Sequence, residues 1–178
     1  EVVAMSSAAQ LAIMNCPELG IKGNLRNFGD SELTYVWEED GTWMRCRLDW
    51  ISKGRSLVLD IKTSGVSVNP DYFSGHINKM GYGIQSVFYR RGVKAVEGKA
   101  PNFVIMAQET EPPYFCSFHS LDIMNEDMAN QKVEYAIKLW RECLASGKWP
   151  GYASRVHYAE PQSWELAEWE IKQYRGGD

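Results

Sequence analysis

Apolar and polar positions along the chain alternate with two different periods, and the switches between them outline the elements. Residues 2–15 are Ala-rich with apolar positions at helical spacing, which predicts a first helix ended by Pro17. Residues 20–30 are rich in turn formers, and residues 33–38 read as a strand. Asp40-Gly41 is a hairpin signal. Residues 43–51 then alternate strictly: Met44, Cys46, Leu48 and Trp50 form an apolar face, with Arg45, Arg47 and Asp49 opposite. A turn at Lys53-Gly54-Arg55 leads to a strand over 56–63, where Leu57, Leu59 and Ile61 share one face and Asp60 and Lys62 the other.

A loop is expected over 65–75, containing Asn69-Pro70, and a helix over 77–96, weakened early by Gly81 and Gly83. Two strands, 103–108 and 114–119, flank Pro112-Pro113. A long helix over 122–145 carries a stripe of Met124, Met128, Val133, Ile137, Trp140 and Leu144, with Gly147 as its C-cap. A short helix over 163–174 ends the pattern. An antiparallel meander followed by a crossover helix implies an α/β fold: a mixed central sheet flanked by helices.

Length and composition narrow the class. The 178 residues suit one domain with a sizeable core, and 44 % apolar content excludes general disorder. No apolar run is long enough for a membrane-spanning helix, so no membrane partner is expected. Cys16, Cys46, Cys116 and Cys143 follow no metal-binding spacing and suggest reduced thiols in a cytoplasmic protein. His76, His119 and His157 show no metal spacing either. A net charge of −4 does not advertise nucleic-acid binding, although a local basic patch can hide behind it.

The candidate chemistry sits on the two neighbouring strands. Paired as a hairpin, they bring Asp49 and Asp60 close. Adjacent carboxylates repel, and a hard divalent cation relieves the repulsion; Mg²⁺ takes oxygen ligands and keeps several waters. Lys62, two residues beyond Asp60 on the same face, can position a water or stabilise charge on a phosphate. Tyr82, Gln85 and Tyr89 share one helix face and can meet a water, a phosphate or a base, with Ile84, Val87 and Phe88 directed to the core. Asp-X-Lys alone is weak, since surface strand acids paired with Arg45, Arg47 or Lys62 would look the same. Arg90, Arg91 and Lys94 either follow a phosphate backbone or form a solvated helix end. Trp43, Trp50, Trp140, Trp149 and Trp164 read as core or interface packing rather than base-stacking platforms.

Taken in order, Arg-Cys-Arg-Leu-Asp-Trp-Ile (45–51), Leu-Val-Leu-Asp-Ile-Lys-Thr-Ser (57–64) and Gly-Tyr-Gly-Ile-Gln-Ser-Val-Phe-Tyr (81–89) resemble the PD-(D/E)XK nuclease superfamily. Within it the chain is most similar to the RecE, or exonuclease VIII-like, family of the RecB-like branch. Glu-Pro-Pro-Tyr (111–114) and Gly-Lys-Trp-Pro-Gly-Tyr (147–152) extend the likeness. The resemblance implies Asp49, Asp60 and the carbonyl of Ile61 as metal ligands, Lys62 as the catalytic lysine, and Gln85 with Tyr89 as the helix pair. It implies a Mg²⁺-dependent exonuclease, with Mn²⁺ able to substitute, that digests duplex DNA ends 5′ to 3′. It further implies a ring-shaped homo-oligomer and a single-strand annealing protein as partner, often in a phage setting, with DNA recombination as the outcome. A RecB-like single-strand nuclease, an endonuclease and an inactive DNA-binding or assembly module are the alternatives. The family's upstream His or Glu has no clear counterpart: only Glu1 and Glu18 lie near the first helix. A single nuclease domain over 1–178 that begins inside the family's domain is therefore expected. Glu32 is a further acid, read as structural.

Overall fold

A computed structural model describes residues 2–175. The chain divides into two compact units, Glu1–Ala145 and Ser146–Asp178. In the first, helix α1 (Val2–Met14), a 3₁₀ turn (Pro17–Leu19) and a one-turn helix α2 (Leu25–Phe28) precede strands β1 (Gly29–Glu39), β2 (Thr42–Ser52) and β3 (Leu57–Ser64). Helices α3 (Pro70–Met80) and α4 (Tyr82–Glu97) follow, then β4 (Asn102–Glu109), β5 (Cys116–His119) and α5 (Ile123–Ser146). The second unit holds α6 (Ser163–Arg175), whose Glu165 carboxylate accepts from the Gln162 amide at 2.8 Å.

The five strands are ordered β1-β2-β3-β4-β5. All neighbours are antiparallel except β3 and β4, which the α3–α4 crossover makes parallel. This is the expected mixed sheet flanked by helices. Asp40 and Gly41 both take positive φ, 47° and 75°, as a two-residue hairpin turn requires. Arg141 of α5 fastens that turn: its guanidinium donates to Glu39 O at 2.6 Å and Thr42 Oγ1 at 3.0 Å.

Each face of the sheet carries its own core. Against α3, α4 and α5 lie Met44, Cys46, Leu48, Val58 and Ile105; against α1 and the 3₁₀ turn lie Trp50, Leu59 and Met106. The expectation that Trp50 shares a face with Met44, Cys46 and Leu48 therefore fails. Strand alternation slips at Asp49, since Leu48 and Ile51 belong to the first core and Trp50 to the second. The partner strand slips at the same level. The β1–β2 ladder pairs Ser31 with Trp50 and Leu33 with Leu48 but skips Glu32 and Asp49, and Glu32 has φ 57°.

Other boundaries also shift. The expected 65–75 loop contains the start of α3, because Asn69 caps it (Oδ1 accepts from Asp71 N, 3.0 Å) with Pro70 in the first turn. The single helix expected over 77–96 is two, broken at Gly81 (φ 70°), which closes α3 and opens α4. On α5 the buried line is Ala129, Val133 and Ile137, whereas Met124, Met128, Trp140 and Leu144 are exposed. Small residues set this phase: a Cβ added at Gly83 would lie 3.5 Å from the Ala129 Cβ, so α4 and α5 approach closely there. Ile84 is consequently turned outward, while Val87 is buried and Phe88 packs against the core. Of the five tryptophans expected to pack, Trp50 is in the core; Trp43, Trp140, Trp149 and Trp164 are exposed.

Candidate active site

The site forms where β2 and β3 stop pairing. Their ladder comprises Trp50↔Leu59 and Ile51↔Val58. At the next level the Ile61 amide donates to Asp49 Oδ2 at 2.8 Å, so a carboxylate takes the place of a backbone acceptor and holds the strands apart. The slip at Asp49 thus has a local purpose: the residue leaves the pleat to reach across.

Asp60 sits on the first-core face of β3, with Ile105 and Ala107 of β4 as the parallel-strand neighbours of Asp60 and Lys62. It is 1 % exposed, an unusual burial for a carboxylate. Gln85, projecting from α4, donates through Nε2 to Asp60 Oδ1 at 2.7 Å. Lys62 Nζ lies 2.6 Å from Asp60 Oδ2, but at angles outside hydrogen-bond geometry, so that buried oxygen has a charge beside it and no aligned donor. Burial pushes the Asp60 carboxyl above the ordinary carboxylate range; Lys62 pulls it down, the Asp49 charge pushes it up, and Gln85 lowers it.

Tyr82 and Tyr89 flank Gln85 and pack against the first core. The Tyr82 ring lies under the Lys62 ammonium, 5.2 Å from ring centroid to Nζ. Burial raises the Tyr89 hydroxyl above its usual pKa, a hydrogen bond with Gln85 lowers it, and the Asp60 charge raises it. The structure therefore gathers Asp49, Asp60, Lys62, Tyr82, Gln85 and Tyr89 at one place. Ile61 joins them through its amide, its side chain being 39 % exposed.

Other residues fall outside this group. Arg90 donates to Pro101 O at 3.0 Å and pairs with Glu126 at 2.6 Å; Arg91 bridges Glu39 and Glu134. Both arginines tie α4 to its neighbours, so the solvated-end and phosphate readings both give way to a structural one, while Lys94 lines an open cleft beside them. Glu32 pairs with Arg47 at 2.8 Å on the surface, as a structural residue would. The Cys16 Sγ–H donates to Glu18 at 3.4 Å, and Glu1 lies outside the described residues. All four cysteines are free thiols. His76 stacks on Phe73 at 5.0 Å, and His119 lies tilted against it at 5.2 Å. Among the described residues no helix is long and apolar enough to cross a membrane.

Two observations bear on whether a divalent ion suits this place. Among the described residues no group of three or more His, Cys, Asp or Glu side chains converges on one point. Yet Mg²⁺ is commonly held by one or two carboxylates and completed by water. Asp49 and Asp60 supply that pair, and the buried Asp60 Oδ2, already beside the Lys62 ammonium, is an oxygen that draws positive charge. The donor set fits a hard divalent ion held with few protein ligands.

Comparison with known proteins agrees at the level of fold. A protein from Eubacterium rectale, described as a candidate exonuclease, superposes with a TM-score of 0.58 over 80 % of this chain at 16 % identity. The match covers 59 % of that protein, so the present chain spans only part of its length. The structure described as SSO0001 gives a TM-score of 0.40 at 19 % identity, covering 82 % of this chain and 70 % of its own. No curated protein matches the chain. Residues 6–162 match the model of the family described as "PDDEXK-like domain of unknown function (DUF3799)", and the chain belongs to that family.

Proposed function

We propose that this protein is a divalent-metal-dependent deoxyribonuclease of the PD-(D/E)XK type that hydrolyses duplex DNA from its ends. The observation that carries the reading is the buried Asp60, with one oxygen bonded to Gln85 and the other left to Lys62, beside an Asp49 that has left the strand ladder. An arrangement kept only for packing would bury an apolar residue at position 60, because a buried carboxylate costs stability.

In this reading Asp49, Asp60 and the Ile61 carbonyl would hold the ion, which when bound would supply Lewis-acid charge on the phosphate and a water acidic enough to attack at neutral pH. Lys62 orients the attacking water and stabilises charge on the scissile phosphate as the P–O bond breaks. Gln85 fixes the Asp60 carboxylate, while Tyr89 lines the wall that faces DNA. The resemblance to RecE-like enzymes supports Mg²⁺ as the ion, Mn²⁺ as a substitute, 5′ to 3′ polarity, a ring-shaped assembly and an annealing-protein partner.

Incubation with Mg²⁺ or Mn²⁺ is expected to degrade linear duplex DNA and spare covalently closed circles, with chelator abolishing the activity. Asp60→Ala and Lys62→Ala should each lower the rate by at least about a hundredfold, consistent with loss of a principal charge-stabilising group, with circular dichroism unchanged. Wild-type rates in either variant would remove the site assignment. Cleavage of closed circles would favour an endonuclease. A second reading, an inactive DNA-binding module, has one observation in its favour, the direct Lys62–Asp60 ion pair; DNA binding without metal-dependent turnover would select it.

A further inference from the structure

The ammonium of Lys62 and a divalent ion compete for the same oxygen. Asp60 Oδ1 is occupied by Gln85, so Oδ2, 2.6 Å from Lys62 Nζ, is the atom left for the ion. Two cations on that one oxygen repel each other, and where Asp60 is 1 % exposed low polarity magnifies the repulsion. When an ion arrives the ammonium has to move, and the lysine side chain is only 19 % exposed, so its choices are few.

Resting on the nuclease reading above, we propose that Tyr82 is a positioning residue whose ring gives the Lys62 ammonium a second seat, taken when a divalent cation occupies Asp60. The ring is already within reach: Nζ lies 5.2 Å from its centroid, inside the range over which a cation is attracted to an aromatic face. The ring is also braced. Tyr82 is the first residue of α4, placed by the left-handed Gly81. His76 of α3 meets it edge-on at 6.1 Å and is itself stacked at 5.0 Å on Phe73, which is 1 % exposed. A loosely held tyrosine would follow the lysine; one held from α3 keeps it near the site instead of releasing it to water. The Tyr82 hydroxyl makes no hydrogen bond to the described residues, so the face of the ring is the operative part. This role differs from DNA contact, the part the sequence suggested for Tyr82.

The test uses one readout independent of turnover and one dependent on it. In protein labelled with ¹³C-lysine, the Lys62 ε-methylene signal, identified by its loss in Lys62→Arg, should be shifted upfield by the ring current. Mg²⁺ should move it further upfield in the wild type and in Tyr82→Phe, but not in Tyr82→Leu. With linear duplex DNA, Tyr82→Leu should lower kcat about thirtyfold, the size of a desolvated cation–π contact, leaving KM within about twofold. Tyr82→Phe, which keeps the ring, should restore the rate. A Lys62 signal that Mg²⁺ leaves in place, or one that behaves identically in Tyr82→Leu, overturns the proposal. So does a defect confined to KM, which would mark a DNA contact. If the wild type cleaves no DNA, the nuclease reading falls, and the methylene shift still decides the contact.

Discussion

Asp60 concentrates the conflict between stability and chemistry in one side chain. Its carboxyl titrates above its unfolded value because burial disfavours the charged form. Between those two values the folded protein binds more protons than the unfolded chain, so this group's contribution to stability falls as pH rises and levels off above the folded value. Asp60→Asn removes that slope. The difference in unfolding free energy, variant minus wild type, should be near zero in acid and become positive as pH rises through the window. Mg²⁺ should then narrow the gap by stabilising only the wild type. Urea titrations across pH, with and without Mg²⁺, would measure this, and a variant less stable than wild type at alkaline pH would contradict it. Residue type and spacing put Asp60 and Lys62 on one strand face, Asp49 across the turn and Gln85 between tyrosines, but only the ordered likeness to a nuclease family set them apart from surface strand acids. The bond from the Ile61 amide to Asp49 was not legible, because a side chain standing in for a backbone acceptor leaves no trace in alternation.

At the scale of elements, long periodic segments were legible and their phases were not. The Asp40-Gly41 hairpin, the crossover to a parallel strand and the long α5 all follow from local pattern. The slip at Asp49, the corner at Gly81 and the buried line of α5 depend on what packs opposite. Glycines show the difference. A Cβ at Gly92 would meet the Trp37 ring at 2.6 Å and Cys46 Sγ at 3.1 Å, in the middle of the first core. A Cβ at Gly83 would meet Ala129 at an ordinary 3.5 Å. Alanine gains about 1 kcal/mol of helix propensity at either place, whereas overpacking costs about 1–3 kcal/mol. Gly92→Ala should therefore lower stability by up to about 2 kcal/mol and Gly83→Ala leave it unchanged or raise it, the signs balancing those two effects. Denaturant midpoints would show this, and equal shifts at both positions would refute the packing argument.

At the largest scale, the first unit carries the candidate site and a separate apolar hollow. The hollow, about 290 Å³, lies between the hairpin and helices α4 and α5 and is lined by Trp43, Met44, Ile84, Phe88 and Trp140 among others. If the RecE-like reading extends to assembly, light scattering should give a mass at least twice 20.3 kDa, and a strict monomer that digests DNA would separate the activity from the ring. The boundary after residue 145 does have a local correlate: α5 contains neither Gly nor Pro, whereas Gly147, Pro150, Gly151 and Pro161 follow it.

The bond between Asp49 and the Ile61 amide ties the metal question to the backbone itself. An oxygen engaged on one side by a strand amide has fewer lone pairs to lend elsewhere, and an ion that draws it away loosens that amide. Under the proposed metal reading, occupancy at the cleft would reach the sheet through that one N–H bond, without any loop having to move.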